Sequence, residues 1–250
     1  MRLSHSDCAG GLKTAIYKAI KNYIVHMRKS LITAGAGVAL FLLASTALAA
    51  SSLFGGATVS GGTVTLVSSP TVPFSGISFD DATGQTVSSL STLGTSYNAT
   101  DDALGGGSPR FQIGVDTNGD SVRDCNVFVY IGTHPNFNDA AAGWQSTGNL
   151  LSSPDMRFDL SQCGGAFYST YAQMVALVGD DTITGISLVV DGGWSQGDGE
   201  QTILVDNVSV DGNTYTFSTK DDCKNGGWEA MGFRNQGQCV SSFQNQSPNR

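Results

Sequence analysis

The sequence predicts an all-β protein: a two-sheet antiparallel sandwich, jelly-roll-like, with one short helix and a disulfide-closed C-terminal loop. Three observations predict it. Short segments alternate apolar and polar residues with a period of two, and helical periodicity is almost absent over long windows. Turn-forming Gly, Ser, Thr, Asn and Asp separate these segments throughout. The cysteine count becomes even once an N-terminal export signal is set aside. A partly open barrel is the alternative architecture. No internal repeat of 20–50 residues is visible, which argues against a solenoid or propeller.

The elements follow in order. Met27-Arg28-Lys29, the apolar run 31–43 and Ala47-Leu48-Ala49-Ala50 form an export signal, with basic start, apolar middle and small-x-small cleavage site. Residues 1–49 are therefore read as a leader cleaved after Ala49, with Met27 as the preferred start codon. Thr33, Gly35, Gly37, Ser45 and Thr46 interrupt the apolar run, which weakens the alternative of an uncleaved membrane anchor. Residues 50–218 form the sandwich domain. Its first part, 51–62, is rich in Gly and Ser and reads as a flexible start. Strands are expected at 63–67 (TVTLV), 110–115 (RFQIGV), 126–131 (NVFVYI), 183–190, 202–210 and 214–217, the last two joined by a turn at Asp211-Gly212-Asn213. Residues 166–178 (AFYSTYAQMVALV) place Tyr168, Tyr171, Met174, Val175 and Val178 near helical spacing, so this segment is the expected helix, its stripe read as packing. Residues 219–250 are the disulfide-closed tail, disordered from Ser241 onward.

Removing the leader changes the chemistry open to the chain. It takes away six of 13 Lys and Arg but one of 21 Asp and Glu, so the net charge moves from −8 to −13. Such a surface repels nucleic acid and anionic lipid, which excludes both as expected partners, and no stable membrane insertion is expected after cleavage. Cys125, Cys163, Cys223 and Cys239 remain, and pairing neighbours along the chain gives Cys125–Cys163 and Cys223–Cys239. A zinc site is the rival, but the spacings do not suit paired knuckles and His134 is the one remaining histidine.

Two constellations stand out. In 116–124 (DTNGDSVRD), Asp116, Asn118, Asp120 and Asp124 place side-chain oxygens on one short loop around Gly119, a pattern suited to calcium. The loop resembles those of extracellular Asp-rich repeats, but lacks the Glu of the twelve-residue EF-hand. A plain hairpin turn between the strands on either side explains the same residues without a metal. Trp144 and Trp194 lie in polar, Gly-containing surroundings, and Tyr130 ends a strand. Flat rings of this kind stack on sugar C–H faces, and Gln145, Asp191, Gln196 and Asp198 supply polar groups for hydroxyls. The expected ligand is thus polysaccharide or cell-surface glycan.

Catalysis finds less support. The acidic doublets at 80–81, 101–102, 180–181 and 221–222 sit at expected turns, and Glu200 and Glu229 begin no acidic run of the kind used by sandwich-fold glycosidases. A Ser-His-Asp arrangement would have to use His134, and no Gly-x-Ser-x-Gly elbow exists.

The tail, with Asp222-Cys223-Lys224-Asn225-Gly226-Gly227-Trp228 followed by 232–240 (GFRNQGQCV), resembles a short C-terminal motif of secreted bacterial proteins, mostly of unknown function. Residues 203–210 (ILVDNVSV) are similar to the closing strand of extracellular carbohydrate-binding-type sandwiches. Neither resemblance carries a catalytic residue. The expectation is a secreted, non-catalytic domain that binds extracellular or cell-wall glycan. A surface adhesive protein and a glycan hydrolase or lyase are the alternatives.

Overall fold

The structure is a computed structural model, and it describes residues 51–105, 107–138, 143–192, 199–230 and 232–244. The expected leader, at 1–49, lies outside the described residues, as do Trp194, Gln196 and Asp198.

Twelve strands are described: β1 (Ser51–Gly55), β2 (Thr58–Ser60), β3 (Thr63–Ser68), β4 (Phe74–Phe79), β5 (Leu93–Asp101), β6 (Arg110–Asp116), β7 (Cys125–Tyr130), β8 (Gln145–Ser146), β9 (Phe158–Asp159), β10 (Thr182–Asp191), β11 (Gln201–Val210) and β12 (Asn213–Tyr215). They form two antiparallel sheets. One has the order β1-β4-β10-β6-β7-β9, the other β2-β3-β11-β5-β8, with β12 paired to β11. Consecutive strands repeatedly change sheets: β3 to β4, β5 to β6, β7 to β8 and β10 to β11. The chain thus passes repeatedly from one sheet to the other, as in a jelly-roll-like sandwich.

Alternation explains the sandwich. Val64 and Leu66, Phe111, Ile113 and Val115, Cys125, Val127 and Val129 are buried at every second position, and all belong to one cluster fed by both sheets. Fully burying side chains such as Phe79, Phe111 and Phe158 stabilises the fold by about 1.5–3 kcal/mol each. Two strands contain a phase error that the backbone absorbs. In β10, Ile183 and Ile186 are both buried although three apart, and the ladder shifts register between Ile183 and Gly185. In β11 the inward set changes from Ile203 and Val205 to Val208 and Val210, and Asn207 takes a positive φ of 49° at the shift. A bulge adds one residue and resets which face points inward, and Asn tolerates the left-handed conformation it requires. The two-residue turn Asp211-Gly212 has positive φ at both positions, as a tight hairpin demands.

Four expectations need correction. Residues 51–60 are not a loose start but the two edge strands β1 and β2, because main-chain pairing to β4 and β3 needs no apolar pattern. Strands β4 and β5, not foreseen, occupy places in the two sheets next to β10 and β11. The helix α1 is shorter than expected, Tyr171–Val178, and starts at Thr170. The Thr170 side chain accepts from Gln173 N while the Gln173 side chain accepts from Thr170 N, a reciprocal cap that fixes the start. The tail contains two more short helices, α2 (Gly227–Ala230) and α3 (Gln236–Gln244), so order continues to residue 244.

Both expected disulfides are present, Cys125–Cys163 and Cys223–Cys239. They accord with an oxidising, extracellular setting. Among the described residues no helix is long and apolar enough to cross a membrane.

Candidate functional site

The outer face of the first sheet carries the site. With Phe111, Val127, Val129 and Phe158 facing the core, the pleat turns Arg110, Phe128, Tyr130 and Asp159 outward. Register then gathers them: Arg110 lies opposite Tyr130, and Asp159 opposite Phe128. They line an open pocket of about 450 Å³ together with Gly107, with Asn136, Phe137 and Asn138, and with Phe167 and Tyr168.

Its wall is aromatic. Tyr130 lies with its ring centre 5.4 Å from Phe137, 6.1 Å from Phe167 and 6.2 Å from Tyr168, while Phe167 and Tyr168 meet edge to face at 4.8 Å. Such pairs contribute about 0.5–1.5 kcal/mol each beyond their buried area. Yet Phe167 and Tyr168 remain 54% and 42% exposed, so a good part of this apolar surface is still open to a ligand.

Its polar floor is built from buried Tyr130 and Asp159 and partly buried Arg110. The Tyr130 hydroxyl donates to Asp159 Oδ2 at 3.1 Å, and Ser161 N donates to Oδ1 at 2.9 Å. Burial, and then the Asp159 charge, push the Tyr130 phenol well above its ordinary pKa, so it stays a donor. Arg110 donates through both terminal nitrogens to Asp191, at 2.5 and 2.8 Å, and its guanidinium lies 4.5 Å from the centre of the Phe128 ring. Its Nε is buried and lacks a partner among the described residues.

A second arginine positions the wall. Arg157 is buried; its Nη1 donates to the carbonyls of Tyr130 and Gly132, at 2.7 and 3.3 Å. Its Nη2 donates to Asp155 at 2.6 Å and its Nε to Ser153 at 3.2 Å. It also lies 5.3 Å from the Phe137 ring centre. Hydrogen bonding from Arg157 holds the Asp155 carboxyl below its ordinary pKa, against a smaller opposing effect of burial. This hub ties the end of β7 to the loop that presents Phe137. Phe137 itself has φ of 57°, a left-handed conformation rare for a bulky residue. Strain of this kind persists only where surroundings over-determine it, and it concentrates at binding sites. Two glycines permit the close approaches. A Cβ at Gly132 would lie 2.5 Å from the Phe137 carbonyl oxygen, and one at Gly107, whose φ is +79°, 3.0 Å from the Tyr130 ring.

The structure separates the residues expected to bind ligand. Tyr130 lines the pocket. Asp191 stands behind it and orients Arg110. Gln145 is in β8, at the edge of the other sheet, and lines a different, more polar cleft with His134 and Arg157. Trp144, half exposed, precedes it outside that lining. Trp194, Gln196 and Asp198 lie outside the described residues. Phe128, Arg110, Phe137, Asp159, Phe167 and Tyr168 were missed. For two of them a signal existed: the Thr170-x-x-Gln173 capping pair starts the helix after Phe167 and Tyr168 and so leaves both outside it.

The 116–124 loop is self-contained. Asp116 accepts from the backbone N–H groups of Asn118 and Gly119 at Oδ1 and of Ser121 at Oδ2, between 2.7 and 3.0 Å. Asp124 accepts from Thr117 N and Oγ1 and from Asn118 Nδ2. Asn118 and Asp120 each accept from the amide two residues on. Burial pushes the Asp116 carboxyl up, but the backbone donors outweigh it and hold its pKa below the ordinary value. Among the described residues no group of three or more His, Cys, Asp or Glu is placed to hold a metal ion.

Comparison of the chain with family models, with characterised proteins and with solved structures gives no match.

Proposed function

We propose that this protein is a secreted, non-catalytic glycan-binding domain and that the pocket on the outer face of the first sheet is its ligand site. One observation carries the reading: an open aromatic wall, Phe167 and Tyr168, stands beside polar groups, the buried Tyr130 and Asp159 and the partly buried Arg110, in a pocket large enough for a sugar ring. Flat rings stack on the C–H faces of a sugar, and hydroxyls exchange hydrogen bonds with fixed donors and acceptors. The groups are pre-positioned by a sheet and a buried arginine, which lowers the ordering cost of binding. A hydrolase would need a second carboxyl facing the first across the cleft, and Asp159 is the one carboxylate among the described lining residues.

A glycan array tests this reading with the wild type and Tyr168→Ala. The wild type is expected to bind at least one polysaccharide class, and the variant to bind it about tenfold more weakly or worse. A wild type that binds no polysaccharide would overturn the proposal.

One observation favours protein contact as a second reading. Among the described residues β1 and β2 end their sheets unpaired, with Leu53, Val59 and Phe74 exposed nearby. Self-association or partner capture through these edges would survive Tyr168→Ala.

A further inference from the structure

We propose that the pocket selects a sugar bearing a positively charged amino group, a 2-amino sugar with a free amine, over its acetylated or acidic counterparts. This rests on the glycan reading above and names the chemistry of its ligand.

The charge state of the floor points there. Asp159 is 4% exposed, and its observed partners are neutral donors, the Tyr130 hydroxyl and the Ser161 amide. A carboxylate offers about four lone-pair sites, so capacity for further donors remains. Among the described residues Asp159 forms no salt bridge. The cation that lines the same pocket, Arg110, is already neutralised by its two-pronged pair with Asp191 and is held over Phe128. The carboxyls at and behind the floor, Asp159 and Asp191, thus outnumber the one lining cation, Arg110, and Asp159 has no cation paired to it among the described residues. A buried carboxylate without a counter-ion is costly, and a ligand cation relieves that cost.

The wall points the same way. Tyr130, Phe137, Phe167 and Tyr168 surround the floor, and the negative faces of aromatic rings attract an ammonium group. The high pKa of the Tyr130 phenol keeps a neutral hydroxyl beside Asp159 at any physiological pH. The rest of the molecule adds long-range bias, since the secreted chain carries a net charge of −13 by composition. A uronate or sulfated sugar would meet repulsion at both ranges. An N-acetyl group would put a neutral amide against a carboxylate that lacks a cation.

Titration calorimetry of the secreted protein with short oligomers of glucosamine, N-acetylglucosamine and galacturonate tests this at mildly acidic pH, where the free amine is charged. The free-amine oligomer is expected to bind at least about tenfold more tightly than the acetylated one, the size of one charge-assisted hydrogen bond, and the uronate not measurably. Asp159→Asn is expected to erase the preference. Asp120→Asn, which removes the same charge from the distant hairpin, is expected to preserve it and so separates the site from general attraction of a polycation. Because the wild type alone compares the three ligands, the proposal stands or falls even if Asp159→Asn does not fold. Equal affinity, or preference for the acetylated or acidic oligomer, overturns the amine proposal and leaves the glycan reading intact. Binding to none of the three while the array is positive for another sugar also overturns the amine proposal alone. A blank array overturns both.

Discussion

The 116–124 hairpin and the pocket above β7 both place acidic side chains on one sheet, yet they draw their partners from different distances along the chain. In the hairpin, Asp116, Asn118, Asp120 and Asp124 spend their oxygens on amides a few residues away. In the pocket, Asp159 meets Tyr130 from 29 residues away and keeps acceptor capacity beside exposed rings. Local acids close on themselves because turn geometry brings N–H donors to them at little entropic cost. Asp159 combines the two kinds of partner: Ser161 N, two residues on, donates to Oδ1, while the sheet brings the Tyr130 hydroxyl to Oδ2. Density of acidic residues in the sequence therefore does not say which of them a pocket will hold.

The two regions are physically joined. Cys125, which follows the hairpin, is bonded to Cys163, four residues after Asp159. The largest expected effect comes from removing that link. Replacing both cysteines by serine opens a closure spanning 38 residues and is expected to cost about 4 kcal/mol on the chain-entropy estimate, read as a lower denaturant midpoint. If glycan binding also weakens while the hairpin stays ordered, the pocket depends on the clamp and the hairpin does not. Equal loss of order in both regions would break the comparison.

Next is Arg157→Leu, which strands the carbonyls of Tyr130 and Gly132 and removes the cation paired with Asp155. About 3 kcal/mol of destabilisation is expected, because a buried network losing one partner leaves the others desolvated. Arg157→Lys is expected to recover only part of it, since an ammonium cannot reproduce the planar fork. Full recovery by lysine would mean that charge alone, and not geometry, positions the Phe137 wall.

The smallest effects belong to the hairpin. The Asp116 carboxyl has its pKa lowered by folding, so its stabilising contribution is present above the unfolded value near 3.8 and is lost as pH falls through the lower native value. Asp116→Asn is expected to reduce that acid-limb dependence in an unfolding series while leaving glycan binding unchanged. Excess calcium is expected to leave the melting midpoint in place, because the loop oxygens already accept N–H donors. A raised midpoint would instead show an ion bound to the native loop by mass action.

Much of the architecture was legible from residues alone. The alternation in β6, β7 and β11 read directly as half-buried strands, and the two disulfides followed from an even count and proximity in the chain. Strands β4 and β5 did not announce themselves, because Ser75, Gly76, Ser78, Gly94 and Thr95 dilute the apolar signal. Edge strands β1 and β2 were illegible for a related reason: their stability comes from main-chain pairing, which leaves little mark on side-chain pattern. Of the site, Tyr130 could be named from its place at a strand end. Phe137 and Asp159 could not, and the cap at Thr170 only sets Phe167 and Tyr168 outside the helix, since nothing in a linear reading says that 130, 137, 159 and 167 share one pocket.

The amino-acid sequence by itself determined what short-range physics controls: alternating burial, turn chemistry and the excess of acidic over basic residues. Only the tertiary structure decided which distant residues meet. Strand register set Arg110 opposite Tyr130 and Asp159 opposite Phe128, and a buried arginine held Phe137 against them. Register depends on how both sheets fill one core at once, and that is a property of the whole chain rather than of any segment.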